Sequence, residues 1–250
     1  LKIIAFYSIK GGVGKTAAAV NLAYIAAAEG AKTILLDMDP QGSASYYFRI
    51  KSSKKFSSKK FIKGRKRFDK SIKGTDYKNL DLLPSHLSYR NLDLVLDNLK
   101  RSKKRLREVL EPFEEEYDFV FLDCPPNITL VSENIFYAAD YLVVPLVPTT
   151  LSVLTYEKLR QFFTDKALDQ SKISVFFSMV EKRKKMHREI MEKMSSQDGR
   201  FLKSRIPYTV DVEKMGIYRE PLVCFRPKSI AARSYDDLWA EIKSLESVKK

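Results

Sequence analysis

Ile9-Lys10-Gly11-Gly12-Val13-Gly14-Lys15-Thr16 is the stretch on which the fold turns. Residues 2–8 before it (KIIAFYS) are an apolar run suited to a buried strand. Residues 16–29 after it (TAAAVNLAYIAAAE) are Ala-rich and helical, with Gly30 as a stop. A glycine-rich turn between a strand and a helix N-terminus is a phosphate cradle. Glycines let backbone N–H groups turn inward onto phosphate oxygens, and the helix start adds unpaired donors and the positive end of its dipole. Lys15 reaches the β- and γ-phosphates in such a loop, and the Thr16 hydroxyl ligates Mg²⁺. Gly11, Gly12, Val13, Gly14 and Ala17 complete the expected nucleotide-binding set. The pattern G-x-x-x-x-G-K-[ST] asks for glycine where this chain has Ile9, and the chain carries a second lysine, Lys10.

Working outward, apolar runs alternate with helical segments. Strands are expected at 33–37 (TILLD), 118–123 (DFVFLD), 141–146 (YLVVPL), 172–180 (KISVFFSMV) and 201–207, the last as a core strand. A brief apolar patch lies at 80–83. Helices are expected near 129–139, 152–164, 184–196 and 229–246, and residues 90–110 show helical periodicity. This order predicts an α/β fold: a mostly parallel, twisted sheet with helices on both faces. No linker divides residues 1–250, so one domain is expected, with a basic insertion at about 49–78.

Several segments, in order, resemble the ParA/MinD group of deviant Walker A P-loop ATPases, and ParA (Soj-like) partition ATPases above all. Residues 10–16 (KGGVGKT) look like the deviant Walker A motif, residues 35–42 (LLDMDPQG) the Walker A′ motif, and residues 121–126 (FLDCPP) Walker B and the start of switch II. Ile206-Pro207 and Arg226-Pro227-Lys228-Ser229 match C-terminal landmarks. The likeness covers nearly the whole chain outside about 49–75.

The resemblance implies an ATP hydrolase that binds ATP and Mg²⁺ and closes into a homodimer on ATP. Lys10 would cross to the partner's phosphates, where charge stabilisation of a transferring phosphoryl group counts most. Asp39 would orient the attacking water, and Asp123, at a strand end, would hold Mg²⁺ through water. Lys10, Lys15 and Asp39 are thus the catalytic candidates, and Thr16 and Asp123 the metal candidates. Asp37 is an active-site neighbour. The adenine end would be lined by Met179, Pro207 and Thr209. Cys124 and Cys224 read as packing thiols, and His86 and His187 have no ligand-spaced partner.

Charge adds a partner. The 250 residues carry 45 Lys+Arg and 31 Asp+Glu, a net +14. Residues 49–78 alone hold thirteen Lys/Arg against two Asp, a net +11, with Phe48, Phe56, Phe61 and Phe68 spaced through them. Basic clusters at 100–107 and 182–188 read as solvated faces. A dense cationic segment favours a polyanion, and the family implies nonspecific DNA. Relatives often carry I-P-R-N-V-R where this chain has Ile206-Pro207-Tyr208-Thr209-Val210-Asp211, so its DNA contacts must come from elsewhere. Candidates are Lys59, Lys60, Arg65, Lys66 and Arg67 in the insertion, and Arg219, Arg226, Lys228 and Arg233 near the C-terminus. Two cysteines argue against a disulfide scaffold, and the chain shows no apolar run of membrane-spanning length and no signal-peptide pattern. The expectation is a cytoplasmic, nucleoid-associated ATPase that segregates or positions DNA or another cargo, aided by an activating or cargo-adaptor protein. The alternative is a MinD-like ATPase at an anionic membrane surface, using Leu238, Trp239, Ile242 and Leu245 as an amphipathic helix face.

Overall fold

The apolar runs assemble into one eight-stranded sheet. This is a computed structural model, and it describes residues 1–99 and 102–248. Lys100 and Arg101 of the second basic cluster, and Lys249 and Lys250 of the tail, lie outside the described residues. The strands are β1 Lys2–Phe6, β2 Thr33–Asp37, β3 Lys73–Gly74, β4 Leu80–Leu83, β5 Phe119–Asp123, β6 Tyr141–Leu146, β7 Ile173–Val180 and β8 Phe201–Pro207. Their order is β3-β4-β2-β5-β1-β6-β7-β8. Every pairing is parallel except the two-residue β3 against β4. Connections from β1 run first toward β2 and β4 and later toward β6, so the reversal beside β1 opens a crevice at the strand C-termini.

The helices are α1 Lys15–Ala28, α2 Ser43–Tyr47, α3 Ser58–Ile62, α4 Leu92–Asp97, α5 Arg105–Leu110, α6 Leu130–Ala138, α7 Thr150–Asp165, α8 Lys185–Gln197, α9 Val210–Glu213, α10 Met215–Tyr218, α11 Leu222–Phe225 and α12 Ile230–Val248. Alternation along each strand splits the core in two. Ile3, Ala5 and Tyr7 of the β1 segment face one cluster with Leu92, Val109 and Ile135. Ile4 and Phe6 face the other, with α1 and the α12 residues Tyr235, Leu238, Trp239 and Ile242. The apolar stripe of α12 is therefore spent on packing. Trp239 is 1% exposed, meets Phe119 and Phe121, and donates to the Glu29 carboxylate at 2.9 Å.

Two expectations differ from what forms. Residues 90–110 do not make one helix. Helix α4 ends at Asp97, a 3-10 turn covers Ser102–Lys104, and α5 begins at Arg105; Leu94 is exposed. Strand β8 is an edge strand, with Lys203 and Arg205 facing solvent. The basic insertion folds into α3, two 3-10 turns and β3. Its phenylalanines are the reason. Phe56, Phe61 and Phe68 are at most 2% exposed, in contact with one another, with Tyr89 and with Phe113. Phe68→Ala should lower stability by about 3–5 kcal/mol, read by urea unfolding, because a fully buried ring leaves a cavity.

Candidate active site

Three neighbouring strands end at one level. β5 lies between β2 and β1, and the register pairs Asp37 with Asp123 and Phe6 with Asp123. The loop leaving β1 therefore starts beside two aspartates. Gly12 and Gly14 adopt φ of +69° and +91°, a region that favours glycine. A Cβ on Gly14 would lie 2.8 Å from Ser178 Oγ on β7, two strands from β1, so the loop is seated against that strand and admits no side chain there. Val13 is buried and anchors the turn, while Gly11 and Gly12 stay open to solvent. α1 begins at Lys15, with Ala17 buried beneath the loop.

Lys15 is 7% exposed, and its ammonium donates to the Lys10 carbonyl at 3.3 Å. Burial pulls its pKa down, while Asp123, the Cys124 thiol and Asp39 pull it back up. Asp123 is fully buried, and neither carboxylate oxygen has a hydrogen-bond partner among the described residues. Burial and then the Asp37 charge push its pKa well above the ordinary carboxylate range; Thr16 and Lys15 act against that rise. Asp37 Oδ1 is likewise buried without a partner. Its Oδ2 accepts from Ser45 N at 2.7 Å and Ser45 Oγ at 2.6 Å, and burial raises its pKa to about 6. A dry carboxylate pair with three of its four oxygens unpartnered is costly unless a cation completes it. Lys15 supplies one positive charge. A divalent ion between Thr16 and Asp123, with phosphates on the loop, is the ligand set these orphaned oxygens fit.

Asp39 sits half-exposed above this pair, its Oδ1 accepting from Gln41 N at 2.9 Å. Sequence reasoning missed what holds it. Ser45 Oγ donates to Asp37 and accepts from Ser85 N at 2.9 Å, and the Ser85 hydroxyl donates to the Asp39 carbonyl. Ser45 lies eight residues past Asp37 and Ser85 forty further on, so no local spacing marks them; only the strand-end position of Ser85, after Leu82-Leu83-Pro84, hints at it. Lys10 is half-buried at the loop's mouth, its N–H on Ser8 Oγ. Met179 adopts φ +54° at the end of β7, and Tyr208 N donates to Val180 O at 3.0 Å, which draws Pro207 and Thr209 to the same strand end. Thr209 caps α9 through Asp211 N. Cys124 is fully buried, with burial pushing its thiol pKa well up, as suits a packing thiol. His187 Nδ1 accepts from Glu181 N, and His86 Nδ1 lies 2.8 Å from Ser88 Oγ. No cluster of three or more His, Cys, Asp or Glu places a metal elsewhere among the described residues.

The candidate DNA residues divide. Lys59, Lys60, Lys66 and Arg67 are exposed on the basic segment, while Arg65 is tied to Asp69, Glu116 and the Pro112 carbonyl. Arg219 lies over the Tyr46 ring and donates to its carbonyl, and Arg226 comes 4.0 Å from Asp211. Lys228 and Arg233 are exposed.

A family model described as an AAA domain matches residues 1–199. A virulence plasmid ParA family protein of Chlamydia psittaci is 28% identical over 98% of this chain and 95% of its own length. The chain belongs to the ParA/MinD group of P-loop ATPases. The sporulation initiation inhibitor protein Soj of Bacillus subtilis is 28% identical over 96% of this chain and 98% of its own. A putative plasmid partition protein from Borrelia burgdorferi, solved bound to AMPPNP, superposes with a TM-score of 0.84 at 25% identity, covering 97% of this chain and 98% of that one. The eight-stranded order and the strand-end loop described above are thus this ATPase's own fold. Ser85→Ala should slow ATP turnover by up to about 10-fold with nucleotide affinity preserved, because it frees the segment that carries Asp39. Steady-state hydrolysis beside a fluorescent-nucleotide titration separates the two effects.

Proposed function

We propose that this chain is a ParA-like partition ATPase. It binds Mg-ATP at the residue 9–16 loop, and two copies close over their nucleotides. The closed dimer holds DNA without sequence preference, and hydrolysis releases it, so that DNA or another intracellular cargo is segregated or positioned. The observation that carries this reading is the set of unpartnered buried oxygens, both of Asp123 and Oδ1 of Asp37, beside the Lys15 ammonium at the mouth of a phosphate loop. The partition names of the relatives, and the AMPPNP bound to the Borrelia protein, support it.

Each residue's task follows from its setting. The backbone of Gly11, Gly12, Val13 and Gly14 cradles phosphate oxygens, and Lys15 neutralises their charge in a poorly solvated place where Coulomb attraction is strong. The Thr16 hydroxyl and Asp123 would hold Mg²⁺, which draws negative charge off the phosphates when bound. Asp39, held by Gln41 and Ser85 at the edge of the dry pair, accepts a hydrogen bond from the attacking water and orients it. Lys10, at the loop's mouth and paired to no carboxylate among the described residues, is free to reach the phosphates of a second copy. Met179, Pro207 and Thr209 border the adenine.

A membrane-anchored reading would need the stripe of α12 exposed, whereas Leu238, Trp239 and Ile242 are buried. No helix among the described residues is long and apolar enough to cross a membrane. Residence in the cytoplasm, on the nucleoid, goes with the DNA reading, as does an activating or adaptor protein.

Lys15→Ala should abolish ATP binding, read by isothermal titration; parental affinity would remove the phosphate-loop assignment. Asp39→Ala should bind ATP and elute as a dimer on size exclusion with Mg-ATP, yet turn over at least about 100-fold more slowly, the loss expected when a water-orienting group is removed. Parental turnover would strip Asp39 of that role.

A further inference from the structure

The folded basic segment presents its charge in an unusual way. Of its thirteen Lys and Arg, only Arg49 and Arg65 form ion pairs among the described residues, with Asp76 and Glu220 and with Asp69 and Glu116. The other eleven are exposed and lack a carboxylate partner. Such a cluster repels itself, so something must hold it together. Phe56, Phe61 and Phe68 do so from below, on Tyr89 and Phe113. Polar ties finish the anchoring: Ser58 N donates to Ser88 Oγ at 2.8 Å, Arg105 Nε to Ile62 O at 2.8 Å, and Arg65 Nη1 to Pro112 O at 2.9 Å. The body of the protein thus spends aromatic burial and an arginine on fixing a surface whose lysines have no carboxylate partner among the described residues.

The C-terminal cations are arranged differently. Arg219 is occupied by Tyr46, and Arg226 lies near Asp211. Arg233 is followed on the same helix by Asp236 and Asp237, three and four residues on, where their charges offset its own. That region is close to electroneutral.

We infer that the cap formed by residues 49–78, rather than the C-terminal arginines, is the surface that binds double-stranded DNA, through its phosphates. This rests on the DNA-binding reading above and assigns it a site. The buried phenylalanines decide what kind of polyanion fits. Single strands are held by bases stacked on exposed aromatics. No aromatic side chain within 49–78 is exposed, so the cap offers no stacking platform. What it offers is fixed, unpaired, solvent-facing cations, the means by which proteins neutralise a duplex backbone without reading bases. Bound phosphates would also relieve the cap's own repulsion.

The test is fluorescence anisotropy of a mixed-sequence duplex of about 30 base pairs, titrated at several salt concentrations with and without ATP. Lys59→Gln, Lys60→Gln, Lys66→Gln and Arg67→Gln are combined in one variant. Arg226→Gln, Lys228→Gln and Arg233→Gln form a second. Retained thermal unfolding and ATPase rate certify that each is folded. The cap variant should lose about 10-fold or more in affinity near 100 mM salt, and its slope of log K against log salt should fall by about 2–4. The C-terminal variant should change by less than about 3-fold, and a single strand of the same length should bind more weakly than the duplex. If the C-terminal variant loses binding while the cap variant keeps it, the cap assignment is wrong and the DNA reading stands. Equal or tighter binding of the single strand overturns the duplex claim. If the parent binds no DNA in any nucleotide state, the DNA reading itself falls; capture instead by phosphatidylglycerol vesicles, lost in the cap variant, would make the cap a lipid-binding surface.

Discussion

Two carboxylates side by side in a dry place are the constraint around which this protein is built. Parallel pairing of β2 with β5 sets Asp37 against Asp123, and parallel pairing of β5 with β1 delivers the glycine loop to the same level. Neither aspartate is fully satisfied by the chain. Ser45, Thr16 and Lys15 offset part of their burial penalty, and the remainder is what the proposed phosphates and metal ion would offset. The rest serves that pair. α1 starts at Lys15, α2 turns Ser45 back onto Asp37, and the β4 end brings Ser85 onto the Asp39 carbonyl.

The fold was legible where strands are buried on both faces. Thr33–Asp37 and Tyr141–Leu146 coincide with the apolar runs, because a parallel strand under helices needs no polar alternation to be recognised. Residues 90–110 misled because a periodicity count is blind to where a helix stops. Leu92, Leu96, Leu106 and Leu110 are all buried, as the pattern implied, but on two short helices. β3 has two residues and carries no hydrophobic signal at all.

For the candidate site, the motif residues were legible because chemistry dictates their types: glycine for positive φ, lysine for phosphate, aspartate at strand ends. The two serines were not. Their roles depend on contacts forty residues apart, and serine hydrogen bonds to almost anything nearby. The basic segment was legible as charge, while the place of its phenylalanines was not. The structure turns Phe56, Phe61 and Phe68 inward and leaves a mainly cationic surface.

The chain has a single tryptophan, and its place has a practical meaning. Trp239 lies in the cluster beneath α1 and α12, whereas the cap's phenylalanines belong to the cluster on the other side of the sheet. Its indole rests on Phe119 and Phe121 and is tied to Glu29 at the far end of the helix that begins with Lys15. Tryptophan fluorescence therefore watches one side of the molecule only. A protein whose basic cap had come undone would still look folded by its tryptophan, and Tyr89, packed on Phe56 and Phe61, is the ring placed to report the change.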